Sequence, residues 1–247
     1  MAKKIKRLSP VTDTIHCACL IHDTLYDWSY VDRLYNSLCR NLTPKVILHV
    51  FTESNRPVPE PYVKHSLVEW PGIRGPKQSW WYKIQIFNPK QHKGHLLYFD
   101  LDTVIIGNLD WIWQKPKDSF WSIRDFKFLF KTKRQTVNSS VMWFSTEQFA
   151  YVYHRFDPEK VRNTRTWHGD QDYISATIDP ALIGYLEQDR IKSYKWEVKE
   201  GGYDFTRRKH KKPGSITYPD PDVRILVFHG KPKPHEEDHP VIRDHWY

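Results

Sequence analysis

The segment Leu97-Tyr98-Phe99-Asp100-Leu101-Asp102-Thr103-Val104-Ile105 runs an apolar stretch straight into two carboxylates one residue apart. Along extended chain, side chains alternate faces, so Asp100 and Asp102 share one side and Leu101 points back into a core. Two carboxylates at the carboxyl end of a strand form part of an oxygen cage for a hard divalent cation. Mn2+ or Mg2+ completes such a shell with water and phosphate oxygens. Taken alone, an Asp-x-Asp pair also reads as a polar strand exit. The second charged feature is Arg207-Arg208-Lys209-His210-Lys211-Lys212, followed by Pro213-Gly214. Around it, from Arg190 to Pro234, twelve Lys or Arg face five Asp or Glu. Such a run is either a solvated loop or a clamp for phosphates.

Other residues carry weaker signals. Cys17 and Cys19 share a strand face and Cys39 falls on a helix; metal binding would need closer His or Cys company, so they read as buried structural thiols. Trp80, Trp81, Trp111 and Trp113 offer faces that stack on a sugar or pack in a core. Asp125, after Arg124, is a further carboxylate near a strand end. The tail His235-Glu236-Glu237-Asp238-His239 has metal-binding composition but reads as a solvated terminus. There is no nucleophile triad and no Walker-type phosphate loop.

The elements that must hold these residues alternate. Thr14 to Ile21 reads as a buried strand; Val31, Leu34, Tyr35 and Leu38 follow at helical spacing with Asp27 or Ser29 as cap. Val46 to Phe51 is a second strand and Tyr62 to Trp70 a third. Ser79 is placed to cap a helix from Trp80 to Phe87. His95 to Phe99 and Thr103 to Ile106 are strands on either side of the acidic pair. Farther on, Phe120 to Ile123, Val137 to Phe144 and Arg224 to Phe228 read as strands, and Thr146 to Phe156 and Gln171 to Ile178 as helices. This order argues an α/β fold with a mostly parallel central sheet flanked by helices. Ligands of such sheets bind beyond the carboxyl ends of the strands.

Five segments, in order, resemble the GT-A glycosyltransferases, most closely the glycogenin-like and bacterial family 8 group. They are Trp81-Tyr82-Lys83-Ile84 with Phe87, the Asp100-Leu101-Asp102 segment, Asn138-Ser139-Ser140-Val141-Met142-Trp143-Phe144, Gly169-Asp170-Gln171-Asp172, and Phe228-His229-Gly230-Lys231-Pro232-Lys233-Pro234. The resemblance implies a Rossmann-like GT-A fold and sugar transfer from a nucleotide sugar, commonly a UDP sugar, with retention and with Mn2+ or Mg2+. By the same likeness Asp100 meets ribose and metal, Asp102 ligates metal, Lys83 reaches the donor, and Lys233 with Gly230 covers the diphosphate. Asn138, Asp170 and Gln171 would line the sugar pocket as the catalytic group. Tyr26, after the first strand, stands where the base would stack. In the family a metal-binding His stands three residues before the Gly; here that position is Val227, and His229 directly precedes Gly230. Either the loop is rebuilt so that His229 reaches the metal, or the third protein ligand is missing. Ser140 replaces a family Gly, and His235 an aromatic.

The whole composition sets the outer limits. The 247 residues include 38 Lys or Arg against 29 Asp or Glu, a formal charge of +9, with 39% hydrophobic and 15% aromatic residues. That excludes a disordered chain, a fibrous repeat and a disulfide miniprotein. No apolar run approaches a membrane span, and Ile15 to Ile21 is a strand and not a signal peptide. Three Cys suggest a reducing compartment, so the expected location is cytoplasmic, with an anionic surface as a suitable neighbour. The chain reads as one domain, 1–247: a nucleotide-binding half over 11–110, a sugar and acceptor half over 111–235, and a tail over 236–247. The expected partners are a nucleotide-sugar donor and an unknown, anionic acceptor. The basic run keeps a nucleic-acid-binding or nucleic-acid-modifying protein as an alternative. A nucleotidyltransferase is another, although Leu20-Ile21-His22-Asp23-Thr24 lacks the glycines of its phosphate loop.

Overall fold

In the first strand, β1 (Thr14–Leu20), Ile15, Cys17 and Cys19 enter one core and Ala18 enters another across the sheet. A strand apolar on both faces belongs in the middle of a covered, parallel sheet. The structure, a computed structural model, describes residues 14–73, 78–131, 136–163 and 167–247. Helix α1 (Trp28–Asn41) starts at Asp27, whose side chain accepts from the Ser29 amide, and buries Tyr30, Val31, Leu34 and Leu38. Then come β2 (Lys45–Thr52), β3 (Val63–Ser66), β4 (His95–Phe99), β5 (Thr103–Ile105), α2 (Asp110–Trp113), β6 (Phe120–Arg124) and β7 (Val137–Ser145). The second half adds α3 (Ala150–His154), α4 (Pro158–Asn163), α5 (Asp170–Thr177), β8 (Ile183–Tyr185), β9 (Ile191–Ser193), β10 (Tyr203–Asp204), β11 (Lys209–His210), β12 (Ile225–Val227) and α6 (Pro240–His245).

The main sheet has seven strands in the order β3-β2-β1-β4-β7-β6-β8. All of its pairs are parallel except those of β7, which runs against β4 and β6. The mostly parallel α/β sheet expected from the sequence is therefore present. A small sheet, β5-β12-β9, stands beside it. Its antiparallel pairing sets Val227 opposite Thr103, and the Phe228 amide donates to the Asp102 carbonyl at 3.2 Å. This pairing carries the Phe228 to Lys233 loop to the acidic pair.

Several elements differ from the sequence reading, each for a visible reason. Ser79–Phe87 is a 3-10 segment that starts after Gln78 with no side-chain cap, and Ser79 lies inside it. All its residues but Trp80 are buried, so packing on every side replaces the one-sided pattern of a surface helix. The third strand stops at Ser66, because beyond it the Gln85 side-chain amide takes both Val68 backbone groups, at 2.8 and 2.7 Å. The helix expected from Thr146 starts only at Ala150. Thr146 is instead tied to Gly94, its amide donating at 2.9 Å and its hydroxyl at 3.1 Å. The basic run is not a free flap: Lys209 and His210 pair with Asp204 and Tyr203 in a hairpin.

Candidate active site

At the end of β4 the sheet turns, and the first of the paired carboxylates is fixed at once. The Asp100 amide donates to the Ser140 carbonyl on β7 at 2.8 Å, and the Tyr98 hydroxyl donates to Asp100 Oδ1 at 2.9 Å. Lys83 comes from the buried 3-10 segment and is itself buried. Its Nζ lies 2.7 Å from Asp100 Oδ1, 3.2 Å from Asp170 Oδ2 and 3.1 Å from Ser139 Oγ. Burial alone would push an ammonium down, but the two carboxylates more than reverse it and hold Lys83 above the usual lysine range. Asp170 opens α5 and accepts from Ser139 Oγ at 2.5 Å. One lysine thus joins three elements of the fold.

Asp102 is 7% exposed. Its Oδ2 accepts from Tyr26 at 3.0 Å and from Lys233 Nζ at 2.5 Å. Burial raises its pKa, the Lys233 ammonium lowers it, and Asp100 raises it further, with the net result above the ordinary carboxylate range. Tyr26 is pushed up by burial and then by Asp102 and Asp100, so it remains a phenol donor. Its ring lies 4.7 Å from that of Tyr30 and has Lys233 Nζ 5.4 Å from its centroid.

The cleft has two lobes that share Trp80, Lys83, Asp100 and Asp102. The larger, about 370 Å3, adds Asn138, Ser139, Ser140, Asp170, Gln171, His229 and Gly230. The smaller, about 160 Å3, adds Leu20, His22, Leu25 and Tyr26. In the larger lobe a shift of register in β6 next to Ser122 accompanies a folded Asn138, whose Oδ1 accepts from the Ser140 amide at 3.0 Å. Gln171 Nε2 reaches Asp125 Oδ2 at 3.4 Å. Gly230 has φ +74°, a left-handed conformation that favours glycine, and an added Cβ would meet Lys195 Nζ at 3.3 Å. In the smaller lobe His22 stacks on Tyr82 at 4.2 Å. Neither of its ring nitrogens has a hydrogen-bond partner among the described residues, and Glu69 Oε1 stands 3.7 Å from Nε2.

His229 lines the larger lobe, but its Nε2 is engaged by Ser193 Oγ at 2.7 Å. Its ring stacks on Phe126 at 5.1 Å and meets the edge of Trp196 at 4.5 Å. Burial, then Lys195, Lys233 and Lys127, lower its pKa to about 3, so the imidazole is neutral. The structure therefore brings Lys83, Asp100, Asp102, Asn138, Asp170, Gln171, His229, Gly230, Tyr26 and Lys233 to one cleft. Sequence reasoning missed Tyr98, Ser139 and Lys195. Tyr98 and Ser139 sit beside recognised residues on strands, and alternation from Asp100 could have found Tyr98. Lys195, which donates to the His229 carbonyl at 2.6 Å, had no such neighbour. The basic run does not border this cleft: no residue from Arg207 to Lys212 lines it, and Lys211 lines a separate basin of about 860 Å3 with Trp196, Phe205 and Tyr218.

The donor set suits a hard divalent cation. Among the described residues, the bonds above engage one oxygen of each carboxylate, Asp100 Oδ1 and Asp102 Oδ2. Burial first, and the Asp100 carboxylate after it, raise the pKa of Asp102 in spite of Lys233, so a further cation on the pair would favour its charged form. Oxygen ligands of this kind match Mn2+ or Mg2+.

Topology and cleft together define a GT-A fold. Solved glycosyltransferase structures share it. An active-site glutamine-to-glutamate variant of LgtC is 11% identical, with a TM-score of 0.61, covering 92% of this chain and 91% of that one. The galactosyltransferase LgtC in complex with donor and acceptor sugar analogues is 11% identical, with a TM-score of 0.57 and 93% of each chain covered. GlyE of Streptococcus pneumoniae TIGR4 is 13% identical, with a TM-score of 0.62, covering 92% of this chain and 57% of that one. No family model matches the sequence, and no curated protein matches it. Among the described residues, no helix is long and apolar enough to cross a membrane.

Proposed function

We propose that the protein is a glycosyltransferase that moves a sugar from a nucleotide sugar, of which a UDP sugar is our choice, with a divalent cation and retention of configuration. One observation carries this reading: the two carboxylates that both lobes share, Asp100 and Asp102, are each paired with a lysine, Lys83 and Lys233. Cleaving a sugar from a diphosphate leaves negative charge on the leaving group and positive character on the sugar. When bound, Mn2+ or Mg2+ would be held by Asp100 and Asp102 and would supply Lewis-acid stabilisation of that leaving group. Lys233 and Lys83 add fixed positive charge to it at no reorganisation cost. Asp170, pinned by Lys83 and Ser139, and Gln171 provide oxygens toward the sugar's developing positive charge, as carboxylates do in glycoside cleavage. The LgtC variant carries a changed active-site glutamine, and Gln171 is the glutamine lining this cleft. In the smaller lobe the unpartnered nitrogens of His22 suit the polar edge of a base.

His229, its Nε2 held by Ser193, serves in this reading as a neutral wall of the sugar lobe, and a role as metal ligand would fall to its other ring nitrogen. An anionic acceptor enters this reading on the chain's formal charge of +9 alone, since the basin that Lys211 borders sets Lys192 and Lys211 against Glu197, Asp204 and Asp220. We assign the protein to the cytoplasm, because the thiols of Cys17 and Cys19 are free, buried and pushed well up by that burial, which fits a reducing compartment.

The test is a thermal-shift panel of nucleotide sugars with and without Mn2+, since a ligand bound by the folded state raises Tm by mass action. One base and sugar combination should raise Tm in a Mn2+-dependent way, and Asp102→Asn should remove both that shift and donor hydrolysis while leaving the fold intact. Full hydrolysis by Asp102→Asn would sink the assignment.

A further inference from the structure

Outside the cleft, the face of β1 to β3 that carries Ala18 and Phe51 holds a group of histidines that the proposed reaction does not use. His16 lies on β1, His49 on β2, His65 on β3 and His92 in the turn before β4. His16 Nδ1 and His49 Nε2 are 2.8 Å apart, and His49 Nδ1 and His65 Nε2 are 2.7 Å apart. The His92 ring lies 5.0 Å from that of His16 and 4.6 Å from that of His49. Its Nε2 is buried and has no hydrogen-bond partner among the described residues. His16, His49 and His92 each bring a ring nitrogen to a common point, with all three nitrogens within 4.8 Å of one another.

We propose that His16, His49 and His92 form a second metal site, for a borderline transition-metal dication of the Zn2+ class, separate from the aspartate pair. Imidazole suits zinc, copper and nickel, whereas carboxylate and water suit magnesium and manganese. Ligand nitrogens around tetrahedral zinc stand about 3.3 Å apart, given Zn–N bonds of about 2.0–2.1 Å. The His16–His49 pair must open by roughly half an ångström to reach that spacing, and His92 must move inward. The half-buried turn gives His92 room for this. Three imidazoles leave the fourth position to water, the ligand count of an open zinc site.

The hydrogen bonds are compatible with the tautomer that His49 needs as a ligand. With its proton on Nδ1, His49 donates to His65 Nε2 and offers an Nε2 lone pair, which His16 Nδ1–H occupies. Metal binding then asks only that His16 carry its proton on Nε2 instead, and no proton need leave the site. His65 becomes the outer partner of a ligating histidine, a contact that fixes the orientation of such ligands. His65 is itself fixed by stacking on Phe51 at 4.6 Å. Burial and the neighbouring rings lower the pKa values of His49 to about 3 and of His92 to about 4, so the rings enter the site neutral. Bound metal would join β1, β2 and the turn before β4 at a single point.

The test uses Co2+ and Zn2+ alone with the full chain. One equivalent of Co2+ should give the visible absorption of a four-coordinate site, displaced by Zn2+ and not by excess Mg2+. His92→Gln should weaken Zn2+ at least tenfold in chelator competition, and His65→Phe should weaken it less. His154→Gln, at an exposed position on α3, should bind as wild type. On the wild-type chain, Zn2+ should protect His16 and His92 from diethyl pyrocarbonate while His154 still reacts. Absence of a stoichiometric Co2+ signal, unchanged affinity in His92→Gln, or His16 and His92 labelled equally with and without Zn2+ would each overturn the site. Because none of these readouts involves a nucleotide sugar, its failure is distinct from failure of the proposed function.

Discussion

The cleft and the histidine cluster solve the burial of polar groups in opposite ways. In the cleft, acidic and basic side chains are buried in pairs: Lys83 with Asp100 and Asp170, Lys233 with Asp102. In the cluster, the rings are kept neutral and bond to one another. Paired ions set out a strong, fixed field, which suits a diphosphate and a hard cation. Neutral imidazoles offer lone pairs and no net charge, which suits a borderline metal. On the two proposals above, one sheet would hold two chemistries, with ligand type more than location selecting what binds.

The largest effect should come from breaking the paired side of this comparison. Lys83→Met leaves Asp100 and Asp170 without their shared cation. Removing one partner of a buried ion pair costs about 3–5 kcal/mol. Urea unfolding should therefore show a loss of roughly 3 kcal/mol or more. Donor-dependent stabilisation should vanish with it. Below the lowered Tm, Co2+ uptake by the cluster should be unchanged. If the cluster's uptake falls as well, the two regions are coupled and the comparison fails.

The difference also explains what could be read from sequence. Asp100 and Asp102 are neighbours in the chain, and strand alternation alone puts them on one side. Their position at the end of an apolar strand marks the carboxyl edge where ligands bind. That Thr14 to Ile21 is a buried strand was legible too, since a long apolar run needs cover on both faces. His16, His49, His65 and His92 are scattered through the chain and meet only because the sheet order is β3-β2-β1-β4. Within Val46-Ile47-Leu48-His49-Val50-Phe51, a single histidine gives no sign of its partners. The 3-10 segment was misread because a run buried on all sides has no periodic face, and β3 was overextended because nothing local shows that Gln85 will cap Val68. The placement of Lys195 beside His229 depends on β9 pairing with β12, a contact between distant segments.

A second, smaller test separates two roles for Tyr26. Position in the sequence makes it a stacking surface for the base; in the structure its hydroxyl donates to Asp102. Tyr26→Phe keeps the ring and removes the donor. Loss of a hydrogen bond to a charged group amounts to about 1.5–3 kcal/mol when the site is dry. Part of that is replaced by water here, so Mn2+-dependent donor affinity should fall about tenfold, about 1.4 kcal/mol. Nucleotide binding without metal should hold, because stacking survives. Equal loss with and without Mn2+ in calorimetric titrations would assign Tyr26 to the base alone.

The smallest effect should come from Glu53, just beyond β2, which supports the smaller lobe from behind. Asp23, next to His22, has φ +61°, a strained conformation for a residue other than glycine. Glu53 Oε1 accepts from the Asp23 amide at 2.6 Å, and Arg56 donates to the Asp23 carbonyl at 2.5 Å. Glu53 Oε2 in turn accepts from Arg56 Nε and from Thr52 Oγ1, both at 2.8 Å. Burial opposes the charge on Glu53, but these donors outweigh it and bring its pKa from 4.5 down to about 2. Between those values the unfolded chain binds more protons than the native one, so stability is fully present above pH 4.5 and declines as pH falls toward about 2. Glu53→Gln should remove that part of the acid dependence, with a cost at neutral pH of no more than about 1 kcal/mol because the carboxylate is partly open to water. Urea unfolding of wild type and variant at pH 6 and pH 3 measures it: the gap between the two proteins should narrow at the lower pH. A gap that is constant with pH would mean that Glu53 holds the turn by its shape and not by its charge.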